Sequence, residues 1–307
     1  MKLSIVIISS RESSVILSHT IETLLTACKE YDFSIHLLLN GNEINARDIS
    51  ESFLIKYPTN LRIWFFPLGD KANCFNQYCY KIAGDYDFHF FVDGYVTINS
   101  DSVTNTIVKA EKHEALAYTG TPATGYSSRK LSEEMLTKGG LHGNFFMLPK
   151  YCIQKLKASC FKLPIGIYRT DSVIASAINY RFAPNENNRD PANICVLPNV
   201  TWQHPILKWY NPKDLLTHAK RYLRQSEGKI ENLAVKTIFT LNKEPVSKLN
   251  EYSHDLCLEY LNKNPLSISF LIRNPGLFGL RSKLIQKKAN EDILSEQKNK
   301  LWELTLP

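Results

Sequence analysis

The 307-residue sequence lacks the glycine patterns that mark the commonest phosphate sites. No Gly-x-Gly-x-x-Gly follows its first apolar run and no Gly-x-x-x-x-Gly-Lys-Ser/Thr occurs, so dinucleotide-binding and P-loop readings lose their main support. No apolar run reaches the roughly eighteen residues that a membrane-spanning helix needs. Seven cysteines are scattered without a Cys-x-x-Cys pair, and the spacing of Cys74 and Cys79 fits no zinc site. They read as reduced, mostly buried thiols in a cytoplasm. Residues 1–8 contain a short apolar run, but Arg11 and Glu12 follow it without a small-residue cleavage site. That run reads as a first strand rather than a secretion signal. Neither an internal repeat nor a low-complexity segment is present.

What is present is an ordinary globular composition, 44% hydrophobic and 22% charged. The length suits one large domain, or one domain with an appendage. The net charge of +7 is unevenly placed: residues 205–307 carry 17 Lys/Arg against 11 Asp/Glu, and the first 204 carry 20 against 19. The basic excess therefore belongs to the last third. An anionic membrane, an anionic carrier, nucleic acid or a solvated helical surface each accounts for such an excess.

Apolar strands are predicted at 3–8, 34–39, 61–66 and 87–93, separated by helical stretches at 13–29, 48–57 and 71–83. Asn40-Gly41-Asn42 is a turn signal after the second strand, and Pro58 breaks the second helix. Strands alternating with helices in this rhythm argue for parallel pairing with right-handed crossovers. Beyond Asp93 the pattern predicts a helix at 101–114, short strands at 115–120, 144–148 and 194–197, and helices at 150–158 and from Thr170-Asp171. Residues 121–140 and 183–193 read as long polar loops, a kind that is usually functional. From 211 onward the pattern is helical, broken at Pro245, Pro265 and Pro275.

The fourth strand is the most informative. Gly84-Asp85-Tyr86 is a polar turn that feeds the apolar run Phe88-His89-Phe90-Phe91-Val92, and the run stops on Asp93. A buried parallel strand of this kind delivers its carboxylate to the carboxyl edge of the sheet, where α/β proteins bind ligands. Three more landmarks precede it. Ser9-Ser10 close the first strand, Asn40 closes the second, and Gly69-Asp70-Lys71-Ala72-Asn73-Cys74-Phe75-Asn76 opens the third helix. In this order the landmarks resemble those of the GT-A-fold, family-2-like glycosyltransferases, over roughly residues 1–205.

The resemblance implies an α/β, GT-A-like nucleotide-sugar-binding domain with a mostly parallel central sheet at 1–210, and a helical, basic extension at 211–307. It implies transfer of a sugar from a nucleotide-activated donor to a hydroxyl of a glycan or lipid-linked acceptor, with inversion, in bacterial-type polysaccharide or glycoconjugate synthesis. Ser9, Ser10, Asn40, Asp70, Asn73, Asp93 and Tyr95 then fall on the donor side. His142, Gly143 and Asn144 fall on the sugar and acceptor side. Asp171 is the candidate base, because an inverting transfer needs a carboxylate within reach of the acceptor hydroxyl. The same aspartate also reads as a plain helix N-cap.

The motif departs from the family at Asp93-Gly94-Tyr95, where the second carboxylate of Asp-x-Asp is missing. The role of that pair is to hold a divalent cation, Mn²⁺ or Mg²⁺, against the diphosphate. His204 is the second ligand that the resemblance offers beside Asp93, and an imidazole favours Mn²⁺. Its plain reading is a packed histidine before Pro205. Asp70 and Lys71 read as contacts to base or phosphate, or as solvated charges at a helix start. With one carboxylate gone, an alternative stands: a catalytically inactive nucleotide-sugar-binding protein of the same fold. Ser9-Ser10-Arg11-Glu12-Ser13-Ser14 lacks the glycines of a nucleotidyltransferase loop, and no nucleic acid partner is expected.

In the extension, residues 266–281 mix apolar and basic side chains, and Lys283, Lys287 and Lys288 follow. Two readings stand for this segment. It is a set of amphipathic helices packed on the catalytic domain, or a peripheral contact with the anionic inner face of the cytoplasmic membrane.

Overall fold

The computed structural model describes residues 1–57, 59–125, 128–205 and 210–305, with only the backbone at 213 and 214. The four N-terminal apolar runs form β1 (Lys2–Ser9), β2 (Asp32–Asn40), β3 (Leu61–Phe66) and β4 (Phe88–Asp93). They pair in parallel in the order β3-β2-β1-β4. Seven of the eight residues of β1 are buried, as a strand covered on both faces requires. The crossovers are α1 (Ser14–Cys28), α2 (Glu43–Lys56) and α3 (Lys71–Gln77), and α3 runs on into a π-turn at Tyr78–Ile82. Each opens on a side-chain cap: Ser13 accepts from the Ile16 N–H, Asn42 from Asn45 and Asp70 from Asn73. Pro58, to which the sequence assigns the break after α2, lies outside the described residues.

Five further strands complete the sheet among the described residues: β5 (Thr97–Ile98), β6 (Ala117–Pro122), β7 (Phe145–Pro149), β8 (Ile194–Gln203) and β9 (Trp302–Leu304). The order is β5-β8-β6-β7-β4-β1-β2-β3-β9. Strands β1, β2, β3, β4, β6 and β8 run one way, and β5, β7 and β9 run against them. The sheet is therefore mostly parallel. Helices α4 (Ser102–Lys112), α5 (Ser128–Lys138), α6 (Lys150–Ala158) and α7 (Thr170–Asn179) belong to this part. The extension holds α8 (Pro212–Lys236), α9 (Ser253–Lys263), α10 (Ile268–Arg273), α11 (Leu280–Ala289) and α12 (Glu291–Gln297).

The period of two along the strands divides the core. Leu3, Ile5 and Ile7 pack with Leu17, Ile21, Val103 and Ile107 of α1 and α4. Val6, Ile8 and Phe91 face the other way, onto Phe75 of α3, Leu156 of α6 and Ile174 of α7. Ala234, Val235, Phe239 and Leu256 of the extension join that second layer. The extension thus packs on the same side of the sheet as α3 and α7.

Three expectations need correction. Residues 121–140 are not an irregular loop throughout, because 128–138 are the helix α5, which buries Met135. The strand predicted at 194–197 runs on to Gln203, past a register shift opposite Gly120 and Thr121. The edge strand β9 caps β3, with Trp302 stacked on Phe65 at 5.7 Å.

Candidate active site at the carboxyl edge of the sheet

Strand β4 carries Asp93 to the carboxyl edge, where its side chain is 14% exposed. Gly94 follows because nothing larger fits: a Cβ there would lie 2.8 Å from Cβ of Ser9. The chain then turns so that the Tyr95 hydroxyl stands 3.0 Å from Oδ2 of Asp93 and 3.2 Å from Oδ1 of Asn144. Burial, and then the neighbouring Asp93 charge, push the Tyr95 phenol well above its ordinary pKa. Tyr95 is a hydrogen-bond donor in the place of the missing carboxylate.

The other oxygen of Asp93, Oδ1, accepts from the ammonium of Lys71, the first residue of α3. Asp70 caps that helix through Oδ1 to the Asn73 N–H at 2.7 Å, and its Oδ2 accepts from the Gly166 N–H at 2.9 Å. It thereby ties the start of α3 to the loop that leads into α7. Burial raises the Asp70 pKa, and the backbone donors of Asn73 and Gly166 oppose that rise.

Asp171 lies in the first turn of α7. Its Oδ2 accepts from the Gly143 N–H at 3.2 Å and its Oδ1 from the Ser172 N–H at 2.8 Å. Gly143 is the meeting point of the site. A Cβ at this position would lie 3.2 Å from Nζ of Lys71 and 3.6 Å from Oδ2 of Asp171. Asp93, Lys71 and Asp171 therefore converge around one glycine, with the Lys71 ammonium paired to Asp93.

The remaining sequence-predicted residues surround this centre with differing engagement. Nδ1 of His142 accepts from the Asn144 N–H at 3.2 Å, and its ring lies 4.5 Å from that of Trp202. Burial lowers the His142 pKa, while Asp171 and Asp93 pull it upward. Asn40 is buried and donates Nδ2 to the Ser9 carbonyl at 2.9 Å, joining the ends of β1 and β2. Ser9 donates Oγ to Glu12, which also accepts from the Ser10 N–H at 2.9 Å. Nδ2 of Asn73 is buried without a hydrogen-bond partner among the described residues.

His204 is not joined to Asp93 by any hydrogen bond or ion pair. Its ring lies 5.7 Å from Trp202, on which His142 also packs, and burial lowers its pKa. Its Nδ1 has no partner among the described residues. The arrangement at Asp93 does not fit a divalent cation. One oxygen already holds an ammonium, the other faces a phenolic O–H, and neither neighbour is an anionic ligand. Among the described residues one cluster has three metal-type ligands, His254, Asp255 and Glu291. It lies in the extension, where Lys288 pairs with Asp255 at 2.7 Å.

An open groove of about 800 Å³ runs beside the centre, lined by Val15, His19, Tyr95, Gln203 and His204 among others. That is within the size range of small-molecule sites. Tyr95 belongs to both the groove wall and the Asp93 cluster.

The sequence offers Lys71 as a contact to base or phosphate, but a charge at a helix start gives no sign of its partner Asp93. Glu231 of α8 escapes a reading of the sequence altogether. Its carboxylate accepts from the N–H of Tyr168 at 3.0 Å and of Arg169 at 3.3 Å, fixing the backbone just before Asp171.

No protein-family model matches the chain, and no curated protein sequence does. Solved structures do. The mannosyltransferase PcManGT from Pyrobaculum calidifontis, in complex with GDP-Man and Mn²⁺, matches 94% of this chain over 83% of its own, at 11% identity and a TM-score of 0.58. Residues 1–349 of S. aureus TarS, in complex with UDP-GlcNAc, match 86% of this chain over 72% of their own, at 14% identity and a TM-score of 0.53. The chain has the GT-A-like fold of these glycosyltransferases, as the ordered landmarks of its sequence imply.

Proposed function

We propose that the protein transfers a sugar from a nucleotide-activated donor to a hydroxyl acceptor with inversion. The observation that carries this reading is the convergence of Asp93, Lys71 and Asp171 around Gly143, at the sheet edge where this fold presents ligands. In the reaction the acceptor oxygen bonds to the anomeric carbon and its proton passes to a carboxylate oxygen of Asp171. The bond from the anomeric carbon to the diphosphate breaks, and its electron pair leaves with the nucleoside diphosphate. Asp171 returns the proton to water. Lys71, steered by Asp93, faces the negative charge that develops on the leaving group.

Ser9, Ser10, Asn40, Asp70 and Asn73 lie on the nucleotide side in this reading. His142, Gly143 and Asn144 form the turn under the sugar and acceptor. Neighbours crystallised with GDP-Man and UDP-GlcNAc support the donor class. A nucleoside diphosphate that binds raises the melting temperature by mass action. We expect such a shift with one of UDP or GDP, and no response to either would overturn the donor reading. A binding protein without turnover is the second reading, favoured by Tyr95 standing where a carboxylate is usual.

A surface for an anionic leaflet belongs to the same proposal: residues 266–281 bury Leu277 and Leu280 in the extension and expose Ile268, Ile272 and Phe278, and α8 adds a second apolar stripe. No helix among the described residues is long and apolar enough to cross a membrane. The first half of α8 exposes Leu215, Leu216, Tyr222 and Leu223, each about half accessible, with Lys220 and Arg224 flanking them. Such a stripe suits a helix lying in a lipid interface. It would bring the site to a lipid-linked acceptor.

A further inference from the structure

We infer that Lys71 takes the place of a divalent cation at the diphosphate, so that this protein binds its donor without metal. The inference rests on the transferase reading above and narrows it.

The donor set at Asp93 carries the argument. A divalent ion of the Mg²⁺ or Mn²⁺ type needs several oxygen ligands, at least some of them anionic. Of the two carboxylates at the centre, Asp171 accepts from the Gly143 and Ser172 N–H groups, and both oxygens of Asp93 face protons: the Lys71 ammonium on Oδ1 and the Tyr95 hydroxyl on Oδ2. An ion at Asp93 would have to expel the ammonium and turn the phenol away. It would then sit beside a like charge, because Lys71 is also hemmed in by Gly143 and by the start of α3. His204 is joined to Asp93 by no hydrogen bond or ion pair; its backbone N–H donates to Thr124 and its ring lies against Trp202.

Lys71 is built to face an anion. The Asp93 side chain is 14% exposed and that of Lys71 is 37% exposed, so Lys71 is the more open member of the pair. An ammonium has three donor protons, and Asp93 engages one of them. The remaining two are free for oxygens of a diphosphate, as charge-assisted hydrogen bonds. When the bond to the sugar breaks, the leaving diphosphate gains one negative charge, and the ammonium is already in place to meet it. Asp93 and Tyr95 act as positioning residues for Lys71, by holding it over the turn at Gly143 and Asn144.

The test uses the full chain and calorimetric titration with UDP and GDP, first in EDTA and then with Mn²⁺ or Mg²⁺. The dissociation constant of the preferred nucleotide is expected to agree within about threefold between the two conditions. Lys71→Met should weaken it by about tenfold or more in both, the loss of a charge-assisted contact, while Lys71→Arg keeps most of the affinity. A Lys71→Met/Asp93→Asn double variant leaves no unpaired charge and serves if the single variant does not fold. Binding that appears only with metal overturns the inference and leaves the donor reading standing. Unchanged binding by Lys71→Met in EDTA overturns it equally. If neither nucleotide binds in either condition, the donor reading falls and the inference falls with it.

Discussion

Glu231, on α8 of the extension, accepts the backbone N–H of Tyr168 with both carboxylate oxygens at 3.0 Å, three residues before Asp171. The loop that delivers the candidate base is thus held by a residue sixty positions away in sequence. Burial pushes the Glu231 carboxyl up from 4.5 to about 7, against the pull of the Tyr168 and Arg169 N–H groups. Between those two values the unfolded chain has lost its proton and the folded protein still holds it. Stability therefore falls as pH rises from 4.5 to about 7 and is flat above, a span of about 3 kcal/mol for this group. In Glu231→Gln the span disappears, so the variant should gain on wild type across that interval in urea unfolding. Parallel stability curves for the two proteins would contradict it.

Two buried histidines contribute with the opposite sign. Burial lowers His36 and His89 to about 4 each. Below pH 6.5 the unfolded chain takes up protons that the folded core refuses, so stability is lost as pH falls from 6.5 toward 4. His36 lies among Trp64, Tyr78 and Tyr86, and His89 accepts or donates at Tyr78 across 2.7 Å. An acid transition with a midpoint above pH 4 that moves downward in His89→Phe is the expected result. A midpoint unmoved by that change would refute the assignment.

Gly94 separates the end of β1 from the turn that carries Tyr95. A Cβ there would lie 2.8 Å from Cβ of Ser9 and 3.0 Å from Cδ2 of Leu17. Gly94→Ala should cost about 1–3 kcal/mol in urea unfolding, as overpacking does, and should weaken nucleotide binding by displacing Tyr95 and Asp93 together. Gly84→Ala is the control, since the nearest atom to its added Cβ is a side-chain carbon of Tyr86 at 3.4 Å. Equal stability of the two variants would show that the close approach is not needed.

The fold was legible where burial left its mark on every residue. Strands β1 and β4 are mostly apolar and buried, β2 and β3 are so over most of their length, and the aspartate that ends β4 is visible for that reason. Helix α5 was not legible, because Ser128–Lys138 is polar and buries only Met135. The second half of β8 contains exposed Pro198 and Asn199, and three-residue β9 lies at an edge, so neither shows a buried pattern. In the site, Asp93 and Asp171 could each be picked out from local context. The contact of Lys71 with Asp93 depends on how α3 lies against β4, and Glu231 on how α8 packs over the loop before α7. Contacts of that kind are set by packing between distant segments, which no local pattern encodes.

The apolar stripe of α8 gives a prediction of its own. Leu216 and Leu223 are 57% and 49% exposed and lie two turns apart on one face. Replacing both by glutamate should abolish flotation with phosphatidylglycerol vesicles and leave the melting temperature within about 2 °C, as exposed substitutions generally do. Flotation that persists in the variant would remove the α8 stripe from the account, and wild type that floats with no preference for anionic lipid would remove the anionic leaflet.

The most direct measurement is nucleoside diphosphate release from UDP- and GDP-sugars with candidate acceptors, wild type against Asp171→Asn, at matched donor occupancy. Release that depends on an acceptor in wild type, and falls by about a hundredfold or more in the variant with donor affinity retained, is the predicted result. Equal background release by both proteins while donor still binds would contradict a transferase and leave a nucleotide-sugar-binding protein in its place.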